Sequence, residues 1–352
     1  MNELEKIIRE IISSEGDISL ERYMELALQH PTYGYYKTKD PLGRTGDFIT
    51  SPEISQLFGE MIGVWCVQAW KDLGKPSPFA LVEFGPGRGT MMADILRATA
   101  HVGGFHDAKK LCLIESDEAL KKRQQNKLQQ FSPEYFDEIS QIPAMPSIVI
   151  ANEFFDALPV RQLEKTFRGW AERTVTTDGD ELALSLRPID ENDSDIPNDI
   201  KNALPGSTIE VSKKAMKTMK SLASRIAETS GALLAIDYGY STRPLSPTVQ
   251  AASNHSYAGI LDRPGEVDLT AHVDFASLRK IATEEGLSTS PIIGQGEFLK
   301  GLGIELRADV LKKNATTEQA AAIDSALARL IAPNQMGEMF KVLAALKSSP
   351  SK

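Results

Sequence analysis

Cysteine is almost absent from this sequence: Cys66 and Cys112 are the only two among 352 residues. Both sit in apolar stretches and neither belongs to a C-x-x-C pair, which excludes a disulfide framework and leaves a reducing, cytoplasmic setting as the expectation. Histidine is scarce too. His30, His101, His106, His255 and His272 show no metal-ligand spacing with cysteine or acids, so no metal is expected. Long apolar runs are missing, and nothing approaches the roughly 20 residues that span a bilayer. Met1-Asn2-Glu3-Leu4-Glu5 lacks the basic region of a secretion signal, and the mixed charges after it lack the Arg- and Ser-rich character of a transit peptide. Bases are in the minority, 39 against 48 acids for a net charge of −9, which removes any electrostatic reason for nonspecific attraction to nucleic acid or anionic membrane. Neither an internal repeat nor a low-complexity tract occurs. The remainder is the composition of a soluble globular protein, long enough for one large domain with insertions or a domain with a cap.

What is present is organised around one stretch. Phe79-Ala80-Leu81-Val82-Glu83-Phe84 has the composition of a buried strand, Gly85-Pro86-Gly87-Arg88-Gly89-Thr90 is a glycine turn, and Met91 to Ala100 predict a helix. A dinucleotide fingerprint would need glycine or alanine at position 90, where Thr90 stands. The pattern is instead acid-x-G-x-G-x-G. Glycines let the backbone approach a ligand, and the next helix offers unpaired N–H groups and a positive dipole end. Glu83 suits an ammonium- or sulfonium-bearing ligand better than a pyrophosphate, and S-adenosylmethionine (SAM) has that charge pattern. A second apolar run, Lys110 to Ile114, ends on Glu115, placed as an acceptor for ribose hydroxyls. Gly85, Gly87, Gly89, Glu83 and Glu115 are therefore the expected cofactor-binding residues.

A second constellation comes after the strand Ser147 to Ala151. Asn152, Glu153 and Asp156, interleaved with Phe154 and Phe155, stand at the carboxyl end of a strand, where open α/β sheets place ligands and chemistry. Two carboxylates and a carboxamide can orient a nitrogen nucleophile. Upstream, Asp47, Thr50 and Ser51 are expected to close over the methionine end of the cofactor, with Ser51 as N-cap and Pro52 as first residue of a helix reaching Gly74. Further along, a third strand is expected near Asp137 to Ile142, a hairpin turns at Thr177 to Asp180, and a helix spans Lys213 to Glu228. Gly231 to Tyr240 predict a buried strand and Pro244 to Gly265 a loop, and Asp268 is expected to open a helix running to Gly286. The last part predicts a strand at Ser290 to Gly294, helices over Phe298 to Lys312 and Thr317 to Ile331, and a final strand from Met339.

The stretches Gly46-Asp47-Phe48-Ile49-Thr50-Ser51-Pro52-Glu53-Ile54-Ser55-Gln56-Leu57-Phe58-Gly59, Glu83 to Thr90 and Ala151 to Pro159 together strongly resemble the MidA family of SAM-dependent methyltransferases. Asp237-Tyr238-Gly239, Gln250 to His255 and Pro264 to Phe275 extend the likeness over nearly the whole chain. The resemblance implies an α/β class I (Rossmann-like) methyltransferase fold: a seven-stranded sheet with its last strand antiparallel, an N-terminal helical extension and an inserted cap. The expected division is 1–75 for the extension and pocket loop, 76–160 and 231–352 for the core, and 161–230 for the cap. The family's mitochondrial members are described as protein arginine methyltransferases that assist assembly of respiratory complex I, so a complex I subunit is the implied partner. The lack of a transit peptide points to a bacterial member. Glu153 is then the first choice for localising charge on a guanidinium, Asp156 the second, and Asn152 an orienting acceptor. Three rival readings stay open: a noncatalytic SAM-binding chaperone, a methyltransferase of a non-protein substrate, and a nicotinamide oxidoreductase.

Overall fold

The computed structural model describes residues 1–38, 50–253 and 256–347; Asp47 and His255 lie outside the described residues. The apolar runs become the strands of a central sheet: β1 (Phe79–Phe84), β2 (Lys109–Ile114), β3 (Glu134–Phe136), β4 (Ser147–Asn152), β5 (Gly231–Tyr240), β6 (Ser288–Thr289) and β7 (Phe340–Lys347). Their order is β6–β7–β5–β4–β1–β2–β3. Strand β7 runs antiparallel to β5, whereas β5, β4, β1, β2 and β3 pair in parallel. Strands β1 and β4 are buried along their whole length, which is why their sequences are continuously apolar and not alternating. Chain order reverses between β1 and β4, and such a switch point leaves a crevice beyond the strand tips.

Helices cover both faces. One carries α4 (Gln56–Asp72), α5 (Thr90–Ala98), α9 (Gln295–Gly301), α10 (Ile304–Lys312) and α11 (Thr317–Ile331), which share one apolar core. The other carries α7 (Lys213–Thr229) and α8 (Phe275–Glu284). Ala215, Met219, Leu222, Ala223 and Ile226 of α7 are buried against the sheet, so this helix is a layer of the core and not of the cap expected over 161–230. The helix α6 (Glu118–Leu128) fills the crossover between β2 and β3. At the N-terminus, α1 (Glu3–Glu15) and α2 (Leu20–Gln29) pack together in a separate cluster.

Several expectations are corrected. Instead of one helix from Ser51, the chain makes α3 (Ser51–Ile54), led by Thr50, and then α4. Ser55 breaks the run at φ −162°, where its hydroxyl accepts from Leu57 N at 3.2 Å, the local competition that makes serine a cap former. The third strand lies at Glu134–Phe136, ahead of its expected place, and Ile139–Gln141 form a 3₁₀ turn. The segment expected as loop and helix start builds a three-stranded sheet from Gln250–Ser253, Ser256–Ala258 and Asp268–Thr270, and α8 begins only at Phe275, capped by Asp274. Strands of three or four residues are too short to show a period. Two short strands, Ser288–Thr289 and Ile293–Gly294, replace the one expected over Ser290 to Gly294. Gly303 at φ 89° separates α9 from α10 where the sequence predicts one helix. The insertion between β4 and α7 forms its own sheet from Arg161–Thr166, Gly169–Asp178, Glu181–Pro188 and Thr208–Val211, joined by Ile18–Ser19. Its hairpin turns at Gly179-Asp180 as the sequence predicts, with Asp178 opposite Glu181.

Candidate active site

Strands β1 and β4 lie in register with Phe84 opposite Ala151, so the segments after them meet beyond one edge of the sheet. A cavity of about 1140 Å³ opens there. Gly85, Gly87 and Gly89 hold φ values of 60°, 52° and 71°, the left-handed region that side chains avoid. Gly85 and Gly87 line the cavity, and a Cβ at Gly85 would stand 3.3 Å from the Phe154 ring. Gly89 does not line it: it caps α5, and a Cβ there would face Leu128 and Gln124. Glu83 is also outside the cavity wall. Strand alternation turns it, with Phe79 and Leu81, to the face that carries α4, close enough to Cys66 for its charge to help burial raise that thiol. Burial pushes the Glu83 carboxyl itself up to about 8, and among the described residues its Oε2 has no hydrogen-bond partner.

Glu115 stands in the cavity wall at the tip of β2. Its Oε1 accepts from Asp117 N at 2.8 Å and its Oε2 from Gln124 Nε2 at 3.1 Å. The same Gln124 amide donates to Gly87 O at 2.7 Å. One fully buried side chain on α6 therefore couples the glycine turn to the carboxylate. Burial raises the Glu115 carboxyl, and the bonds from Asp117 and Gln124 pull it back.

At the tip of β4, Glu153 and Asp156 line the same cavity, as does Thr50. Glu153 sits at φ 49°, a conformation held by its surroundings. Its Oε1 accepts from Ser51 N at 2.8 Å and from Asn152 Nδ2 at 3.2 Å. Ser51 is fully buried and Asn152 nearly so; both act on Glu153 and are absent from the cavity lining. Asp237, fully buried within β5 just after its apolar run, holds the whole loop: its Oδ2 accepts from the amides of Phe154, Phe155 and Asp156 at 3.1, 2.8 and 3.3 Å, and its Oδ1 from Tyr238 N at 2.8 Å.

These acids share one electrostatic environment. Burial, then the neighbouring Glu153 charge, pushes Asp156 up to about 7; burial, then Asp156, holds Asp237 well above the carboxylate range; burial raises Glu153. Asp268 lines the cavity, and the Tyr36 hydroxyl reaches its Oδ1 at 3.4 Å. An acid-rich wall of low polarity favours a cationic guest, because desolvated carboxylates gain most from an opposite charge. Phe154, edge-on to Phe84 at 5.3 Å between ring centroids, forms the apolar part of the wall. No group of three or more metal-binding side chains occurs among the described residues.

Sequence reasoning missed Asp237 and Gln124. Asp237 carries the same signal as Glu115, an acid at the end of an apolar run. Gln124 carries none, since α6 has little apolar periodicity to mark a buried face.

Residues 61–293 match the Methyltransf_28 family of S-adenosyl-L-methionine-dependent methyltransferases. The chain belongs to this family. Its curated relatives include the mitochondrial protein arginine methyltransferase NDUFAF7 of Danio rerio, 36% identical over 366 residues, covering 96% of this chain and 85% of the relative. The human NDUFAF7 is 36% identical over 366 residues, covering 95% and 81% of the two chains. A solved structure from Burkholderia thailandensis bound to S-adenosyl-homocysteine (SAH) superposes with a TM-score of 0.84 at 27% identity, covering 99% of this chain and 92% of the other. The fold is thus the Rossmann-like methyltransferase fold and the cofactor is SAM. The cavity fits it: a turn without side chains at Gly85 and Gly87, a carboxylate in Glu115 at the tip of the next strand, and a volume above the roughly 300–1,000 Å³ of typical ligand pockets, which leaves space for a methyl acceptor.

Proposed function

We propose that this methyltransferase transfers methyl groups to an arginine side chain of a protein. The observation that carries the reading is the placement of Glu153 and Asp156 in the same cavity as the cofactor turn and Glu115. The relatives named as protein arginine methyltransferases support it, and the likeness to the MidA family implies a respiratory complex I subunit as acceptor.

When bound, SAM supplies an electrophilic methyl group on its sulfonium. A guanidinium stays protonated in water and is a poor nucleophile. Glu153, held on Oε1 by Ser51 N and Asn152, offers its other oxygen to the guanidinium N–H groups. Together with Asp156 it draws positive charge to the far nitrogens and leaves the near nitrogen electron-rich. As that nitrogen forms its bond to the methyl carbon, the methyl–sulfur bond breaks with its electron pair left on SAH, the nitrogen sheds its proton, and Asp156, raised toward 7, is matched to receive it near neutral pH. Alignment in the cavity supplies the rest. In this reading Gly85, Gly87 and Glu115 contact the cofactor, Thr50 faces its methionine end, and Ser51 and Asn152 position Glu153.

The test is mass spectrometry of arginine-containing protein incubated with enzyme and SAM. Glu153→Gln should lower the methylation rate on the order of 100-fold or more while SAH affinity stays within a few-fold, the behaviour of a lost transition-state contact. Methylation at the wild-type rate by the variant would sink the role of Glu153. Unchanged acceptor mass with wild-type enzyme, despite a stable complex, would favour the chaperone reading.

A further inference from the structure

Four cationic side chains line the cavity: Lys37, Lys214, Lys217 and Arg329. Three are exposed, and two of those are engaged, Lys37 with Asp117 at 2.9 Å and Lys214 with Gln29 at 2.6 Å. Arg329 differs. It is partly buried, and among the described residues its guanidinium makes no hydrogen bond or ion pair. A guanidinium half out of water with five unused donors is costly unless an anion completes it.

Its position is fixed by a chain of buried bonds. Arg329 lies in the last turn of α11, where the helix dipole favours a cation. The next residue, Leu330, accepts from Gln295 Nε2 at 3.0 Å, and the Oε1 of that fully buried glutamine accepts from Ser51 Oγ at 3.4 Å. Ser51 N in turn donates to Glu153 at 2.8 Å. Arg329 is therefore tied to the same corner of the cavity as Thr50 and Glu153, and its charge reaches Glu153, where it lowers the carboxyl against burial.

The cofactor of this family presents three charges at its methionine end: a sulfonium and an ammonium, both cationic, and one carboxylate. In the reading above Thr50 faces that end, and the wall beside it carries the acids Glu153 and Asp156. A carboxylate beside those acids would be repelled unless a cation received it. We propose that Arg329 receives the α-carboxylate of the methionine moiety, and that this contact sets the depth of the cofactor against Glu153. A planar guanidinium fork matches a carboxylate with two parallel bonds, which lysine cannot reproduce.

The experiment is calorimetric titration of SAH, of its decarboxylated analogue (which keeps the ammonium) and of 5′-methylthioadenosine, into wild type, Arg329→Gln and Arg329→Lys, with thermal melts as a control for folding. In Arg329→Gln, SAH affinity should fall about 10- to 100-fold, the range of a charge-assisted bond. The two ligands without a carboxylate should bind both proteins alike, and Arg329→Lys should restore part of the SAH affinity. Unchanged SAH affinity in the variant, equal losses for all three ligands, or unchanged SAH affinity with a raised KM for the protein acceptor would each overturn the assignment. Failure of wild type to bind SAH at all would reject the cofactor pocket together with it.

Discussion

At the scale of single residues, the site depends on acids held where water cannot solvate them. Asp156 shows the consequence most directly. Its folded carboxyl is pushed up to about 7 by burial and by Glu153, whereas an unfolded aspartate titrates near about 3.9. The folded chain then keeps a proton that the unfolded chain has lost. Asp156 thus favours the fold at low pH, and that contribution disappears as pH rises from about 4 through about 7. Urea denaturation of wild type and Asp156→Asn at pH 5 and pH 8 should show the variant gaining relative stability at the higher pH. Equal differences at both values would mean that Asp156 ionises normally. Under the arginine reading, kcat/KM should also rise through a limb near pH 7 that belongs to the coupled set Glu153, Asp156 and Asp237, not to one group.

At the scale of elements, the cofactor end is a strand, a turn and a helix kept in register by a residue outside all three. Gln124 on α6 donates to Gly87 O and to Glu115, so the turn and the Glu115 carboxylate are positioned together. Gln124→Leu removes both bonds and leaves Gly87 O without this partner; SAH affinity should fall about 10-fold, the value of one or two net hydrogen bonds. Gly87→Val should abolish SAH binding altogether, since it puts a branched side chain into the cavity wall from a backbone at φ 52°. Titration of SAH into both variants checks the ordering. Equal affinity for wild type and Gln124→Leu would show that the turn holds its shape unaided.

At the scale of the whole molecule, a buried carboxylate helps to join the inserted sheet to the cavity. Glu210 on the strand Thr208–Val211 accepts from Gln162 Nε2 at 2.7 Å, Thr248 N at 2.9 Å and Val249 N at 3.1 Å, and from the Thr248 hydroxyl. Thr248 Oγ1 accepts from His272 N at 2.9 Å. The segment after Val249 supplies Gln250, Ala252 and Tyr257 to the cavity wall. Glu210→Ala leaves these donors unanswered and should cost about 1–3 kcal/mol of stability, because buried unpaired amides keep their full desolvation penalty. Under the arginine reading it should raise KM for the protein acceptor several-fold and leave SAH affinity unchanged, since the residues proposed to contact the cofactor follow β1 and β2. Steady-state kinetics with SAH titration separates the two ends. A matched loss at both would show that the inserted sheet supports the whole cavity. A second buried acid, Glu60, bonds Arg97 at 2.8 Å and Arg307 at 2.7 Å and so ties α4 to α5 and α10 on the far face.

The sequence by itself determined the strands that carry the site. Phe79 to Phe84, Lys110 to Ile114 and Ser147 to Ala151 are apolar because they are central strands of a covered sheet, and a tip residue of different character, Gly85, Glu115 or Glu153, marks where each such strand reaches the crevice. The glycine turn was legible for the same kind of reason, since only glycine adopts three positive φ values within five residues without strain. Tertiary structure decided which neighbouring polar groups face the cavity. Glu83 and Gly89 belong to the same motif as Gly85 and Gly87, yet strand alternation and the cap of α5 turn them to the core. Gln124, Gln295 and Arg329 come from separate stretches and reach the site only through the packing of helices on the sheet. Their sequence neighbourhoods could not announce them, because a hydrogen bond between residues tens to hundreds of positions apart leaves no local period. The short strands after Gln250 escaped for a related reason: their pairing, not their own pattern, makes them strands.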